Sequence, residues 1–338
     1  MSSLPEESSM TAKERVKRAV AYEEVDRPPA GLFGTHHEYE EGLAQFIGVD
    51  SVEDMYRELG VDIWHSRVGL EYKGTGNAWG KTEENPRPFA DMTTIDEVEA
   101  HPFAGTDYLD ASNFIEHLKA HQEFAVCGGI NSAIFHNYLD MCGQENGLCF
   151  LKTDPKLAKA MIRRITDYWE GYLRKLLEAG RGMIDLVENC NDFGTQRSMF
   201  ISIDDFREFF KGPLTRLYNT AKEYGILYMQ HSCGSIAPII DDFIEMGADI
   251  LNPIQVEVDG MNLEELAQRY KGRITFYGGI DTQRLLPHGP EDAIRREVRR
   301  LRGLFGKEGG LIMAGSQGLL VDIPYPNAVA MLDENKKI

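Results

Sequence analysis

The sequence predicts a single (β/α)8 barrel of the TIM type, and two patterns support that prediction. Short apolar runs of strand character recur eight times, centred near Leu32, Ile63, Val126, Leu186, Leu227, Leu251, Phe276 and Ile312. Helical patterns separate most of these runs, and strands that alternate with helices indicate a parallel sheet. Eight such units in a chain of 338 residues are typical of a closed barrel. We therefore expect residues 1–338 to form one domain.

The predicted helices have apolar residues at a spacing of three or four. They cover Met10–Tyr22 at the N-terminus, Asp154–Ala179, Ile203–Tyr224, Asn262–Tyr270 and Pro290–Phe305. The region Glu71–Asp107 departs from this pattern because it is rich in Gly, Pro and Thr and has no long periodic helix. We expect this region to be an insertion after the second strand, and loops on that side of a barrel commonly cover an active site.

A doubly wound open sheet is the competing fold. It would need a glycine-rich phosphate-binding turn after an early strand. The glycine-dense turns here are Cys127-Gly128-Gly129 and Tyr277-Gly278-Gly279, and neither forms G-x-G-x-x-G. The barrel is therefore the favoured interpretation.

Charge and hydropathy restrict the partners of this protein. A formal net charge of −18 argues against binding to nucleic acid or to an anionic membrane surface. No apolar run reaches the roughly 18–20 residues that span a bilayer. The segment Met1–Ala12 is polar and acidic, unlike a signal peptide, so we expect a cytoplasmic location. A homodimer is the default expectation for the oligomeric state.

The five cysteines have irregular spacing and do not predict a disulfide framework. Free cysteines usually behave as small buried hydrophobes. We interpret Cys127, Cys142, Cys149 and Cys190 in that way. Cys233 is the exception because of its neighbours.

His231-Ser232-Cys233-Gly234 directly follows an apolar run and precedes a helical pattern over Ser235–Gly247. An imidazole and a thiol two residues apart therefore lie where a strand ends. On extended backbone, such side chains point the same way. One ion could take both, and zinc suits a nitrogen and sulfur pair. The alternative is a capped helix start with a buried thiol.

Polar side chains also follow the other predicted strands, at the ends where barrel active sites lie. The candidate catalytic residues are three carboxylates: Glu188 and Asp192 around the fourth strand's end, and Asp281 after the seventh. Glu188 and Asp192 either serve as an acid, a base or an oxygen ligand, or cap a helix or form a salt bridge. For Asp281 the alternative is a cap of the turn Thr282–Leu286. The candidate substrate-binding residues are His36, His37, Gln196, Asn252, Gln255 and Tyr277.

Several segments share their pattern with one superfamily. They are Glu14-Arg15-Val16, Asp26-Arg27-Pro28-Pro29, Asn191–Gln196, His231–Gly234, Asp249–Gln255, Gly278–Asp281 and Asp322–Asn327. With these segments the sequence resembles the uroporphyrinogen decarboxylase superfamily over nearly its whole length. Within that superfamily it is similar to the branch of corrinoid-dependent methyltransferases. The resemblance implies a (β/α)8 barrel, in agreement with the count of strands.

Two departures from the superfamily are informative. True uroporphyrinogen decarboxylases carry Arg-Gln-Ala-Gly-Arg after the first strand, where the arginines meet substrate carboxylates, and Gly31–Glu38 contains no arginine. We therefore do not expect that decarboxylation. The zinc methyltransferases have a third ligand, Cys or His, after strand eight, and Gln317 aligns with it. Because glutamine is a weak ligand, either Gln317 binds through its carbonyl, or Glu188 or Asp192 completes the site, or zinc binds weakly or not at all.

The resemblance implies methyl transfer between a small methylated substrate, of methoxy, methylamine or methylthiol type, and a corrinoid protein. It implies zinc at His231, Cys233 and Gln317, acting as a Lewis acid. No D-x-H-x-x-G segment for corrinoid binding is present, so cobalamin would arrive on a separate partner protein. Two alternatives stay open: a metal-free decarboxylase or lyase acting on a small carboxylic acid, and a non-catalytic binding relative.

Overall fold

A computed structural model describes residues 10–103, 105–129, 133–305 and 307–337, and it confirms an α/β fold. The strands are β1 (Ile63–His65), β2 (Glu71–Tyr72), β3 (Leu109–Asp110), β4 (Ala125–Cys127), β5 (Leu186–Cys190), β6 (Leu227–His231), β7 (Ile250–Ile254), β8 (Thr275–Ile280) and β9 (Leu311–Gly315). Seven of them form a curled parallel sheet in the order β1-β4-β5-β6-β7-β8-β9. The short strands β2 and β3 form a separate antiparallel pair.

Three helices precede β1, and helices follow most strands of the sheet. They are α1 (Ala12–Val20), α2 (His37–Ile47), α3 (Val52–Leu59), α4 (Ile95–Ala100), α5 (Ser112–Ala120), α6 (Ile134–Cys142), α7 (Gln144–Thr153), α8 (Pro155–Ala179), α9 (Ile203–Asp205), α10 (Gly212–Glu223), α11 (Ile240–Met246), α12 (Leu263–Tyr270), α13 (Leu285–His288), α14 (Glu291–Phe305) and α15 (Tyr325–Lys336). A π-helical segment, Phe206–Lys211, joins α9 to α10.

The predicted helices are present with shifts of a few residues at their ends. Capping interactions define the start of the long helix α8. The side chain of Asp154 accepts a hydrogen bond from the backbone N–H of Leu157 at 3.0 Å, and Pro155 occupies the first turn. The helix predicted over Ile203–Tyr224 is a continuous run that includes the π-helical segment.

The strand predicted near Leu32 is not formed, and this corrects the count of eight. In its place Ala30 makes an isolated parallel bridge to Met313 of β9, and Gly31 makes one to Ile63 of β1. Pro29 has no N–H to offer a ladder. The N–H of Phe33 donates to the Tyr277 hydroxyl at 3.1 Å instead of to a strand. Two bridges therefore link the edge strands β1 and β9.

The segment predicted as an insertion contains little regular structure. Strand β2 begins it, its partner β3 lies just beyond its end, and α4 is the longest helix described within it. Thr94 and Glu97 form a capping box at the start of α4, which explains why a helix forms there. That this segment is an insertion, and that residues 1–338 are one domain, stay predictions.

The inner face of the sheet is apolar at the N-terminal ends of its strands. Residues from all seven strands meet there with two residues of α1 in a buried cluster: Val16, Val20, Ile63, Ala125, Cys127, Leu186, Met229, Ile250, Tyr277, Ile312 and Ala314. Helix α1 thus packs against this end of the sheet.

A buried ion-pair network holds the first bridge segment in place. Arg15 and Arg27 each contact the Asp62 carboxylate, at 2.6 and 2.7 Å. The same carboxylate accepts a hydrogen bond from the N–H of Ala30 at 2.8 Å. Because Asp62 immediately precedes β1, the network fixes Ala30 beside that strand. Within the residues that the structure describes, no helix combines the length and the apolar character that crossing a membrane requires.

Candidate metal centre

Side chains on the inner face change from apolar to polar along each strand. In β5, Leu186 is followed at steps of two by Glu188 and Cys190, and in β6 Met229 is followed by His231. Alternate residues of a strand share a face. Cys190 and His231 are also partners in register. The C-terminal ends of the strands therefore bring together ligand-type side chains distant in sequence.

The predicted pair His231 and Cys233 is joined by Asp192, from the loop after β5. The Nε2 atom of His231 lies 3.3 Å from Cys233 Sγ and 3.4 Å from Asp192 Oδ1. Two atoms bound to one tetrahedral zinc at its usual bond lengths lie about 3.4–3.8 Å apart. The nitrogen, sulfur and oxygen donors therefore fit one zinc ion, which these three residues would hold.

Asn252 fixes the orientation of His231. Its Oδ1 lies 2.7 Å from His231 Nδ1, and both side chains are buried. The carbonyl oxygen can only accept, so Nδ1 carries a hydrogen and Nε2 faces Cys233 and Asp192. Such a partner typically sets the tautomer of a metal-binding histidine. Asn252, predicted to bind substrate, thus supports the candidate ligand.

His231 and Asp192 form an ion pair within this cluster. Burial opposes a positive charge on His231, but hydrogen bonds with Asp192, Cys190 and Cys233 hold the pKa of the imidazole well above its usual value. Burial would raise the pKa of Asp192, whereas the hydrogen bond and charge of His231 hold it well below its usual range. A metal ion must therefore displace a proton from His231.

Gln317 contacts the thiol through its amide nitrogen. Its Nε2 donates to Cys233 Sγ at 2.9 Å, while its Oε1 accepts from the N–H of Gly318 at 3.2 Å. The backbone donor thus orients the side chain with the nitrogen toward the sulfur. An amide N–H is no metal ligand, so in this orientation Gln317 acts as a hydrogen-bond partner of Cys233.

A second group of ligand-type side chains adjoins the first. It consists of His136, from the first turn of α6, with Cys190 and Asp192, and one ligand atom of each lies within 4.8 Å of the others. The hydrogen bond with Cys190 raises the pKa of His136 against the effect of burial. Burial would raise the pKa of the Cys190 thiol, but hydrogen bonds to His136 and His231 lower it. Cys190 is therefore more than a packed hydrophobe.

Glu188 belongs to a third group, deeper on the inner face. Its Oε2 lies 3.4 Å from His65 Nδ1 and accepts from Cys127 Sγ at 3.4 Å. The Nε2 of His65 lies 2.9 Å from the hydroxyl of Tyr277. Burial, with the charge of Glu188, raises the pKa of the Cys127 thiol well above its usual value. Glu188 thus lies with His65, apart from the group around Cys233.

Phe33 lies between these groups, beside a small cavity. Its ring centroid is 4.9 Å from that of His231 and 5.2 Å from that of His65. A cavity of about 230 Å³ is lined by Phe33, His65, Glu188, Arg67 and the loop of residues 32–35. The Arg67 guanidinium donates to Glu40 at 2.6 Å and to the Thr35 carbonyl at 2.9 Å, so an acidic partner already holds it.

Two glycines allow the loops after β5 and β6 to meet. A Cβ on Gly194 would lie 2.7 Å from the carbonyl oxygen of Cys233, and one on Gly234 would lie 2.4 Å from the carbonyl carbon of Gly194. Gly234 also has φ of +87°, which favours glycine. Gln255, a predicted substrate-binding residue, accepts from the N–H of Gly234 at 2.5 Å. It thereby stabilises the loop that carries Cys233.

The structure places other predicted residues outside these groups. His36 and His37 are exposed at the start of α2, where His37 faces Glu40 and Glu41. Gln196 is exposed on the loop after β5. Asp281 Oδ1 accepts the backbone N–H groups of residues 283 and 284 at 2.8 and 2.7 Å, as a cap does. Tyr277, in contrast, contacts the third group: its ring lies in the inner core, its hydroxyl is 2.9 Å from His65 Nε2, and burial raises the pKa of that hydroxyl well above its usual value.

Sequence reasoning missed His136 and Cys190. Cys190 lies two residues before Asp192 and two after Glu188, so the alternation of β5 could have identified it. His136 lies on a helix, and no spacing connects it to the strand ends. Sequence reasoning also did not identify the carboxylate of Glu257 as a candidate functional group. Its Oε1 accepts from Thr282 N at 3.1 Å and from the Ser316 hydroxyl, and burial raises its pKa.

Comparison with known proteins assigns the family. The family model for uroporphyrinogen decarboxylase (URO-D) matches residues 68–338. The chain belongs to the uroporphyrinogen decarboxylase family. This confirms the resemblance seen in the sequence. No curated protein matches this URO-D family member.

Solved structures show how far its fold is shared. A methyltransferase from Methanosarcina mazei superposes with a TM-score of 0.72 at 18% identity, covering 97% of this chain and 98% of the other. Native xylanase 10B from Thermotoga maritima matches with a TM-score of 0.42 at 13% identity, over 90% and 98% of the two chains. The first comparison shows that this URO-D family member and the methyltransferase have the same fold over nearly their full lengths.

Proposed function

We propose that this protein is a methyltransferase that moves a methyl group from a small methylated substrate to a corrinoid protein. The observation that carries the proposal is the group of His231, Cys233 and Asp192 at the C-terminal ends of the strands. Membership of the uroporphyrinogen decarboxylase family and a fold shared with a methyltransferase support it.

The donor set suits zinc, and His231, Cys233 and Asp192 would hold it. When bound, zinc would supply Lewis acidity to the heteroatom that carries the methyl group. Asn252 keeps the Nδ1 hydrogen of His231 in place, so Nε2 faces the ligand group. The amide of Gln317 donates to the sulfur of Cys233 and reduces its electron density.

The side chains around the cavity would bind the substrate and would supply a proton to the heteroatom that loses the methyl group. Transfer to the corrinoid breaks the bond between methyl and heteroatom, and the heteroatom then takes up a proton. Glu188, 3.4 Å from His65 Nδ1, lines the cavity and is the group we assign to that proton. The volume of about 230 Å³ suits a small donor of methoxy, methylamine or methylthiol type.

The cavity disfavours a substrate with several carboxylates. The guanidinium of Arg67 is engaged by Glu40 and by the carbonyl of Thr35. The loop of residues 32–35 that lines the cavity carries no positive charge. The acidic groups of a porphyrinogen would thus lack the partners that they need when buried.

The test combines metal analysis with a transfer assay. The purified protein is incubated with a reduced corrinoid protein and methoxy, methylamine and methylthiol donors, while methyl-corrinoid formation is followed by absorbance. We expect zinc to copurify, and Cys233→Ser to lose the zinc held at His231 and Asp192 and, with it, methyl transfer. The matched control is Cys149→Ser, because Cys149 is an exposed cysteine on α7.

Full transfer by Cys233→Ser would refute the role of the metal. A zinc-loaded protein that transfers no methyl group from any donor class would refute the activity. Release of CO2 from a small carboxylic acid, unchanged by a chelator, would instead identify a metal-free decarboxylase.

A further inference from the structure

The two ligand groups beside β5 overlap in a single residue. One contains His231 and Cys233, the other contains His136 and Cys190, and both contain Asp192. Each group has one imidazole nitrogen, one sulfur and one carboxylate oxygen. Both therefore offer a mixed donor set of the kind that zinc accepts.

The carboxylate of Asp192 faces both groups with different oxygens. Oδ1 lies 3.4 Å from Nε2 of His231, and Oδ2 lies 3.6 Å from Nε2 of His136. Both distances lie within the roughly 3.3–3.7 Å expected between nitrogen and oxygen ligands of a tetrahedral zinc. A carboxylate with one oxygen directed to each of two donor sets has the arrangement of a bridging ligand.

The backbone holds His136 near this carboxylate. The N–H of Phe135 donates to Asn191 Oδ1 at 2.8 Å, so the residue next to Asp192 anchors the start of α6. The ring of Phe135 stacks on that of Phe193, with centroids 5.0 Å apart. Residues on both sides of Asp192 thus fix the helical turn that carries His136. Such preorganisation exceeds what a surface ion pair requires.

We propose that the protein binds two divalent ions of the zinc type, one at His231 and Cys233 and a second at His136 and Cys190, bridged by Asp192. The proposal rests on the proposed function only through the shared first site. Each ion has three protein ligands and keeps one open position, as in catalytic zinc sites. In two-metal sites the ions lie about 3.5–4 Å apart, so one substrate can contact both.

The experiment counts ions per chain and probes their coupling. Zinc is measured by elemental analysis in the full-length protein, and cobalt(II) replaces it for electron paramagnetic resonance. We expect two ions per chain, and a cobalt signal that broadens and weakens as the second equivalent binds, because the carboxylate couples the ions. Cys190→Ser and His136→Gln should each retain one ion and an uncoupled signal. Cys149→Ser should retain two, and circular dichroism should show every variant folded.

Two results would overturn the proposal. One ion per chain that persists in Cys190→Ser would make Cys190 a structural thiol. One ion that is lost in both Cys190→Ser and Cys233→Ser would make the two cysteines ligands of a single metal. Neither result depends on methyl transfer, so failure of the second site is distinguishable from failure of the proposed activity.

Discussion

The hydrogen bond between Asn252 and His231 makes a quantitative prediction about metal affinity. Replacing Asn252 by alanine removes the oxygen that lies 2.7 Å from Nδ1. Asn252 is 2% exposed, so water does not readily replace it. The ring then loses the partner that fixes its tautomer. Removing such a partner typically weakens metal binding about 10–100-fold, or about 1.4–2.7 kcal/mol.

The assay is competition for zinc with a chromogenic chelator at neutral pH. Asn252→Asp should bind zinc at least as tightly as the wild type, because a carboxylate accepts the same hydrogen and makes the imidazole more basic. The matched control is Asn327→Ala, which also loses a buried amide, here one that bonds the carbonyls of Leu286 and Gly289. A folded Asn252→Ala protein with unchanged zinc affinity would refute this reasoning.

Two ion-pair networks away from the site make predictions about stability. Asp62→Asn should lower the free energy of unfolding by about 3–5 kcal/mol in denaturant titrations, because Arg15 and Arg27 lose a buried partner; a change below 1 kcal/mol would contradict this. Burial would raise the pKa of Glu334, but hydrogen bonds from Lys337 and Arg299 hold it at about 2. Its stabilisation is therefore present above the unfolded pKa of 4.5 and is lost as the pH falls toward 2. Glu334→Gln should cost at most about 1 kcal/mol at pH 7, because solvent screens ion pairs whose cationic partners are exposed. A cost that persists at the lowest pH would contradict the assignment.

The fold was largely predictable because apolar runs and helical spacing are local signals. Seven runs became strands of the parallel sheet. The run near Leu32 has the same composition, but two effects outside it prevent a strand. Pro29 cannot donate to a ladder, and the Phe33 N–H is taken by Tyr277, which lies 244 residues away in sequence. No pattern within the run carries that information.

The site could be predicted from the sequence only for residues that are close to one another along the chain. His231 and Cys233 are two residues apart at the end of β6, and in the structure Cys233 Sγ lies 3.3 Å from His231 Nε2. Asp192 was one of two carboxylates that the sequence could not separate. The structure separates them, because Glu188 lies four residues before Asp192, on β5, where it contacts His65. His136 comes from a helix whose position depends on Asn191, which only the tertiary structure reveals.

The orientation of Gln317 separates it from the three candidate ligands, because its amide nitrogen, and not its carbonyl oxygen, faces the sulfur of Cys233. Its amide supports the sulfur of Cys233 from the β9 side. The ligand-type side chains instead concentrate on β5, β6 and α6, where Asp192 links both groups. The cavity lies along β1 and the loop of residues 32–35, and Phe33 connects it to His231. Phe33 thus lies between the cavity and the candidate metal ligands, so the proposed route of a small substrate from the cavity to the metal passes this ring.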